Sequence, residues 1–312
     1  MKSIRTIAIC GAGQMGVGVS LCFQRAGYRT LLWTRDPSEI LTLRGTLSSL
    51  ETSMEEHFPS TASTQGLLDI VTDLLLVDET ADVIVDCICE VLEEKVDLFR
   101  RLPSARKRQA TFLTTTSGLS ITRLGRQSGT KNVLVGTHFW NPPHLMPLVE
   151  VIRGQNTEDE VVDRVVDLIQ SIGKIPVRVN RDVPGFIGNR LLHAMWREAI
   201  NIVQRGIASP EDVDRTARLT FGLRMPAVGP LENMDLVGLD LIEIIHKYLL
   251  VDLAADRQPL PLLSKQVNRG QLGVKSGRGF YDWKERDSKD LIERRDQQIV
   301  HQLKLLRKIK SS

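Results

Sequence analysis

Residues 6–16 have the sequence TIAICGAGQMG, a short apolar run followed by three glycines at the spacing GxGxxG. The β-branched side chains of the apolar run predict a buried parallel strand. A helix-compatible segment follows as far as Ala26, Gly27 is placed to end it, and residues 30–33 predict a second strand. A strand, a glycine turn, a helix and a second strand form the context that a dinucleotide-binding GxGxxG pattern requires.

The three glycines have separate physical roles in such a turn. Gly11 permits the tight turn, Gly13 lets the backbone approach a pyrophosphate, and Gly16 lets the helix and the strand pack closely. The first turn of the helix offers unpaired N–H groups and the positive end of its dipole to the phosphates. We therefore predict dinucleotide binding, and the alternative is a glycine turn with a purely structural role.

The rest of the first half of the chain continues the alternation of strands and helices. A helix is predicted at about residues 158–171, because Thr157 and Glu160 form a capping box and Gly173 follows the helix end. The alternation predicts an α/β fold with a doubly wound, Rossmann-type parallel sheet in residues 1–182. The further strand candidates are residues 83–87, 111–115, 133–137, 149–152 and 175–179.

Residues 183–312 predict an all-helical C-terminal domain. Pro184 can open a long helix that reaches about Gln204, with Gly206 as its stop. Ser209 is a suitable N-cap for the next helix, and few strand patterns follow it. The charged tail from Lys284 has helical spacing and predicts a solvated helix.

Composition and charge exclude several classes of protein. A chain of 312 residues predicts two domains, and its net charge of +3 is too small to make nucleic acid the main partner. No apolar run approaches the roughly 18 residues of a membrane-spanning helix, and the run at residues 7–10 is too short for a signal peptide. The four cysteines form no CxxC pair and have no metal-ligand spacing. We expect reduced core thiols, no metal site and a cytoplasmic location.

A histidine follows one of the predicted strands. His138 begins the segment HFWNPP at a strand end, where doubly wound sheets bind their ligands. A histidine there can serve as a general base, although a lone histidine is more often a structural residue. Glu150 lies twelve residues further on and could orient the imidazole, but the spacing alone does not show that the two side chains meet.

Five motifs occur in order at residues 11–16, 115–121, 138–152, 183–190 and 273–281. Together they resemble the motifs of the 3-hydroxyacyl-CoA dehydrogenase family. Residues 138–144 and 228–232 are most similar to members that act on small free hydroxy compounds, namely lambda-crystallin type gulonate dehydrogenases and pyridine-carboxylate dehydrogenases. The resemblance implies an NAD(P)-binding domain, a helical domain for substrate binding and dimerisation, and a homodimer.

The resemblance also implies catalytic roles for four residues. His138 would take the proton of the substrate hydroxyl while a hydride leaves the same carbon for nicotinamide C4, and Glu150 would orient His138 and balance its charge. Ser117 would bind the reacting oxygen and Asn189 would hold the substrate, although a capping serine and an asparagine paired in a helix interface are the structural alternatives. The expected cofactor-binding residues are Gly11, Gly13, Gln14, Met15, Gly16, Thr34, Arg35, Glu90, Lys95, Asn141 and Lys275.

The chain departs from the family at the end of its second strand. The family usually has an acidic residue there that binds the adenosine ribose, and this chain has Thr34 followed by Arg35. A small polar residue followed by arginine suits a 2′-phosphate, so we expect NADP(H) to be favoured over NAD(H). Asp36 is also near the expected distance from the glycines, so NAD(H) stays possible.

A second departure concerns coenzyme A. Residues 36–94 contain fourteen Asp and Glu, one arginine and no lysine, and Pro147 stands where many CoA-using relatives have a lysine. We expect an NAD(P)-dependent oxidoreductase that interconverts a 3-hydroxy group and a ketone on a small 3-hydroxy acid or a 3-hydroxyacyl thioester. The alternatives are a dehydrogenase of a hydroxymethyl or aldehyde group on a small ring carboxylic acid, and a non-catalytic, crystallin-like nucleotide-binding protein.

Overall fold

A computed structural model describes residues 4–59 and 65–311, and this part of the chain contains eight strands and fourteen α-helices. The strands are β1 (Thr6–Cys10), β2 (Arg29–Trp33), β3 (Leu68–Val71), β4 (Val83–Asp86), β5 (Thr111–Thr114), β6 (Leu134–Phe139), β7 (Leu148–Arg153) and β8 (Ile175–Val179). The helices are α1 (Gln14–Arg25), α2 (Ile40–His57), α3 (Leu74–Thr80), α4 (Leu92–Arg100), α5 (Pro103–Lys107), α6 (Ile121–Ser128), α7 (Asp159–Ser171), α8 (Gly188–Gln204), α9 (Pro210–Leu219), α10 (Phe221–Arg224), α11 (Pro230–Val237), α12 (Leu239–Leu249), α13 (Pro261–Asn268) and α14 (Ser288–Ser311).

The eight strands form one sheet in the order β3-β2-β1-β4-β5-β6-β7-β8. Neighbouring strands are parallel except β6 and β7, which are antiparallel. The predicted α/β fold with a Rossmann-type sheet is therefore confirmed, and every predicted strand is present. Only β3 was not predicted, because this four-residue edge strand is half-exposed and Asp69 interrupts its apolar pattern.

Both faces of the sheet are covered by apolar side chains. Along β1, Ile7 and Ile9 pack into one core cluster, whereas Ala8 and Cys10 pack into the other. This alternation follows from the two-residue period of a strand, and burial on both faces explains why β1 is apolar throughout. The sheet is thus a rigid platform whose strand ends can hold polar groups in fixed positions.

Two local predictions are wrong. Pro184 does not open a helix, because Gly185 and Phe186 adopt positive φ angles of 77° and 49° and α8 begins only at Gly188. The predicted capping box at Thr157 is absent, since its hydroxyl donates a hydrogen bond of 2.7 Å to Leu134 O and α7 has no side-chain cap. The predicted Ser209 cap is present, and its hydroxyl oxygen accepts a hydrogen bond from Asp212 N–H.

The chain divides into two compact units, residues 1–190 and 191–312. The first contains the sheet and the second is helical, with two isolated β-bridges at Arg278 as its only extended pairing in the described residues. The first unit includes the first turn of α8, where Gly188 N–H donates a hydrogen bond to Glu150 of β7. No helix in the described parts of the chain is long and apolar enough to cross a membrane.

Candidate active site

The turn after β1 has the geometry of a phosphate-binding turn. Gly11 has a φ angle of 110°, and a Cβ atom on Gly16 would lie 1.8 Å from Gly11 O, so both positions require glycine. A Cβ atom on Gly13 would meet nothing within 4 Å, which leaves open space for a ligand. Helix α1 begins at Gln14 with no side-chain cap and no acidic residue in its first turn. These residues fit the pyrophosphate of a dinucleotide.

The residues that follow β2 form a compact polar loop. Thr34 is buried, and its hydroxyl donates a hydrogen bond of 2.6 Å to Glu39 Oε2 and accepts one of 3.2 Å from Asp36 N–H. Arg35 is exposed and has no ion pair among the described residues. Glu39 lies five residues after Thr34, so the sequence does not mark it as a site residue. The turn of 3₁₀ helix over Pro37–Glu39 brings its carboxylate into contact with Thr34.

His138 and Glu150 meet on neighbouring strands. The antiparallel register of β6 and β7 places them directly opposite each other, and His138 Nδ1 lies 2.6 Å from Glu150 Oε2. Both side chains are buried. The sequence spacing left this contact open, and the antiparallel pairing explains it.

The second oxygen of Glu150 receives two backbone hydrogen bonds. Ile187 N–H and Gly188 N–H donate to Glu150 Oε1 at 2.8 and 3.0 Å. Burial opposes ionisation of Glu150, but the hydrogen bonds from His138 and from these two N–H groups outweigh it and lower the pKa of the carboxyl group. An ionised Glu150 keeps the proton of His138 on Nδ1 and leaves Nε2 as a proton acceptor.

Ser117 and Asn189 are also brought together. Glu90 accepts hydrogen bonds from Thr116 Oγ1 and, at 2.8 Å, from Ser117 N–H, so this carboxylate holds the loop after β5. Asn189 Nδ2 donates a hydrogen bond of 3.1 Å to Ser117 O. The Ser117 side chain is exposed, so its hydroxyl is available to a ligand.

Lys95 lies in the core rather than on the surface. Its ammonium group is 2.9 Å from Asp86 Oδ2 and 3.6 Å from Glu90 Oε2. Burial raises the pKa of Asp86, and the neighbouring ammonium group opposes this effect. Thr114 Oγ1 also donates to Asp86 at 2.7 Å. Asp86 has the pattern of an ordinary strand end, so the sequence does not mark it as a site residue. Lys95 contacts Glu90, whose carboxylate accepts a hydrogen bond from Ser117 N–H.

The remaining predicted cofactor residues are more dispersed. Gln14 and Met15 lie in the first turn of α1, and Asn141 is exposed just after β6. Lys275 is exposed in a short 3₁₀ helix of the second unit, Val274–Ser276.

Cys87, which directly follows β4, does not supply a reactive thiol. Burial raises the pKa of the Cys87 thiol to about 12, so it stays protonated at neutral pH. All four cysteines are free, but Cys89 is exposed, so the prediction of core thiols is wrong for that residue. No group of three or more metal-ligating side chains occurs in the part of the chain that the structure describes.

Comparisons with known proteins agree with this geometry. The family model of the 3-hydroxyacyl-CoA dehydrogenase NAD-binding domain matches residues 6–183, and that of the C-terminal domain matches residues 185–283. The 5-formyl-3-hydroxy-2-methylpyridine 4-carboxylate 5-dehydrogenase of Mesorhizobium japonicum is 32% identical over 95% of this chain and 96% of its own. The 3-hydroxybutyryl-CoA dehydrogenase of Clostridioides difficile is 33% identical over 89% of this chain and 99% of its own.

Solved structures give the same result. A crystal structure of an NAD⁺-dependent 5-formyl-3-hydroxy-2-methylpyridine 4-carboxylic acid 5-dehydrogenase has a TM-score of 0.93 and 32% identity, covering 98% of this chain and 99% of that one. The 3-hydroxybutyryl-CoA dehydrogenase of Escherichia coli has a TM-score of 0.72 and 31% identity, covering 92% of this chain and 61% of that one. The chain therefore belongs to the 3-hydroxyacyl-CoA dehydrogenase family and is an NAD-dependent oxidoreductase that acts on CH–OH groups.

Proposed function

We propose that this enzyme interconverts a 3-hydroxy group and a ketone on a compact free carboxylic acid rather than on a coenzyme A thioester. The charge of residues 36–94 carries this proposal, since they contain fourteen acidic residues, one arginine and no lysine. Coenzyme A has a pyrophosphate and a 3′-phosphate, and proteins usually hold such groups with several Lys or Arg side chains. Lys95 directly follows the segment, but its ammonium group is buried against Asp86.

The catalytic residues act on the hydroxyl proton. His138 Nε2 takes the proton of the substrate hydroxyl, and Glu150 stabilises the imidazolium ion that forms. Ser117 Oγ donates a hydrogen bond to the reacting oxygen, and Asn189 positions the acid. NAD⁺, when bound, accepts the hydride from the same carbon, so the products are the ketone, NADH and a proton.

A hydroxymethyl or aldehyde group on a small ring acid is the second candidate substrate. The indole of Trp140 favours it, because the ring lies beside His138 with centroids 5.1 Å apart and is partly exposed. Gly188 makes room for the indole, since a Cβ atom there would lie 2.2 Å from Trp140 Cζ2. A planar ring can stack on such a surface next to the base. The pyridine-carboxylate relative acts on a ring acid of this kind.

A spectrophotometric screen of NAD⁺ reduction and NADH oxidation tests both candidates. The panel contains free 3-hydroxy and 3-keto acids, pyridine-carboxylate aldehydes and acetoacetyl-CoA. We expect a higher kcat/KM for a free acid than for acetoacetyl-CoA, and the opposite order contradicts the charge argument. Trp140→Phe is the matched variant, which should reduce kcat/KM for ring acids more than for open-chain acids. Absence of turnover across the panel would contradict both candidate substrates.

We also propose that the protein is a homodimer formed through the second unit. Among the described residues of that unit, only Leu260 and Val300 are buried large apolar side chains. By contrast, Leu231 and Leu236 of α11 are 74% and 76% exposed, and Ile244 of α12 is exposed as well. Such a surface is typical of an interface with a second copy. A sedimentation mass near 35.0 kDa at micromolar concentration would contradict the dimer.

A cytoplasmic location is the remaining proposal. It is supported by the four free cysteines, since oxidising compartments favour disulfides. Detection of the native protein mainly in a secreted or periplasmic fraction would contradict it.

A further inference from the structure

We propose that Glu39 is the residue that binds the adenosine ribose of NAD and rejects the 2′-phosphate of NADP. In a Rossmann-type fold an acidic residue at the end of the second strand usually accepts the ribose hydroxyl groups. This chain has Thr34 at that point, and Glu39 supplies the carboxylate from five residues further along. The proposal replaces the preference for NADP(H) that the sequence predicts.

The position of Thr34 defines where the carboxylate lies. The register of β1 and β2 pairs Cys10 with Trp33, and Gly11 N–H donates a hydrogen bond of 3.0 Å to Trp33 O. Thr34 comes directly after Trp33, so it begins the loop at the carboxyl end of β2, next to the strand end from which the glycine turn starts. The Thr34 hydroxyl donates its proton to Glu39 Oε2, so that carboxylate oxygen lies at the carboxyl end of β2.

The Thr34 hydroxyl is engaged in hydrogen bonds within the loop, whereas the Glu39 side chain is exposed to a ligand. Thr34 Oγ1 donates to Glu39 and accepts from Asp36 N–H, so its proton is not available to a ligand. Glu39 is exposed, and its Oε1 atom makes no hydrogen bond to any residue that the structure describes. An exposed carboxylate oxygen can accept hydrogen bonds from a ribose diol.

Charge in the same loop disfavours a 2′-phosphate. Glu39 and Asp36 carry two negative charges, and Arg35 carries the single positive charge between Thr34 and Glu39. Asp36 is engaged within the loop, where its Oδ1 atom accepts hydrogen bonds from Ser38 N–H and Ser38 Oγ. A phosphate that reached Arg35 would also face the Glu39 carboxylate, and the repulsion between them offsets the attraction of the guanidinium group.

Binding measurements test the proposal without using catalytic activity. Dissociation constants for NADH and NADPH are measured by nucleotide fluorescence with the wild-type chain and with Glu39→Gln. We expect wild type to bind NADH more tightly than NADPH. Glu39→Gln should weaken NADH about tenfold or more and should change the ratio of the two constants in favour of NADPH. An unchanged ratio overturns the proposal.

A modified nucleotide separates ribose binding from a structural role. Reduced nicotinamide 2′-deoxyadenine dinucleotide lacks the hydroxyl group in question, so Glu39→Gln should weaken it much less than NADH. Equal weakening of both nucleotides would show that Glu39 only supports the loop, and would overturn the proposal. The double variant Thr34→Asp/Glu39→Gln returns a carboxylate to the usual position and should restore NADH binding.

Two neighbouring residues provide matched controls. Asp36→Asn removes a carboxylate from the same loop, and it should change the NADPH to NADH ratio less than Glu39→Gln does. Arg35→Ala tests the alternative assignment. If it weakens NADPH by more than tenfold and leaves NADH unchanged in a wild type that prefers NADPH, Arg35 is the specificity residue and the Glu39 proposal fails.

Discussion

The two units of the chain differ in how they bury apolar surface. In the first unit both faces of the sheet are covered, and side chains such as Phe99 and Phe112 are fully buried and pack edge to face. In the second unit only Leu260 and Val300 are buried among the large apolar side chains of the described residues, while α11 and α12 expose most of theirs. Because burial of apolar surface is the main stabilising contribution to a fold, this difference supports the proposal that a second copy covers the exposed helices of the second unit.

The candidate catalytic residues and the exposed apolar helices lie in different units. His138, Glu150, Ser117 and Asn189 all belong to the first unit. His138 and Glu150 lie in the neighbouring strands β6 and β7, and Asn189 hydrogen-bonds to Ser117 in the loop after β5. A reactive group needs a fixed geometry, and a fully packed sheet provides it. We therefore expect substitutions in the two units to affect different observables.

The largest expected effect is that of His138→Ala. Loss of the general base should lower kcat by about 10²–10⁴, while NADH binding and the oligomeric state stay unchanged. Steady-state kinetics, fluorescence titration and sedimentation measure the three quantities. His301→Ala, an exposed histidine on α14 of the second unit, is the control and should retain full kcat. Near-full activity in His138→Ala would exclude this residue as the base.

Glu150→Gln should have a smaller effect on kcat, because His138 is retained but loses its orienting charge. The substitution should also change stability against pH. The folded-state pKa of Glu150 is lowered from 4.5, so its contribution is present above that value and is lost as the pH falls through the lowered pKa. Chemical unfolding between pH 3 and pH 7 should show a weaker acid dependence for the variant. Identical curves would contradict this assignment.

Ile244→Glu addresses the second unit. If α12 packs against a second copy, the new charge is buried twice in a symmetric interface and should raise the dissociation constant of the dimer by roughly tenfold or more. Sedimentation over a dilution series measures it. Glu243→Gln changes the neighbouring exposed residue, whose ion pair with Lys247 lies on the surface, and it should leave assembly unchanged. If the two variants have the same dissociation constant for the dimer, Ile244 does not lie in the interface.

The smallest effect is expected for Tyr281→Phe, within the second unit. Partial burial and the hydrogen bond of Tyr281 Oη to Asp214 raise the pKa of this phenol to about 12. A raised pKa contributes stability that is present below pH 10 and is lost as the pH rises towards 12. Unfolding measurements from pH 9 to pH 12 should therefore show a weaker alkaline loss for the variant. A steeper loss in Tyr281→Phe would contradict the assignment.

All strands of the sheet except β3, and the glycine turn after β1, could be predicted from local pattern. The turn is predictable because two of its glycines are required locally, Gly11 by its positive φ angle and Gly16 by its close approach to Gly11 O. The start of α8 could not be predicted, because it depends on a distant residue. Ile187 N–H and Gly188 N–H donate hydrogen bonds to Glu150, and the helix begins only at Gly188. The edge strand β3 was missed, since its residues are half-exposed and have no strong apolar period.

The sequence by itself determined the Rossmann-type turn, the helical second half and the candidate residues His138 and Glu150, because these depend on residue type and on short-range spacing. Only the tertiary structure decided which side chains meet. The antiparallel pairing of β6 and β7 joins His138 to Glu150, and a turn of 3₁₀ helix returns Glu39 to Thr34. Such contacts depend on strand register and loop path, which are set by the packing of the whole sheet and not by any single segment.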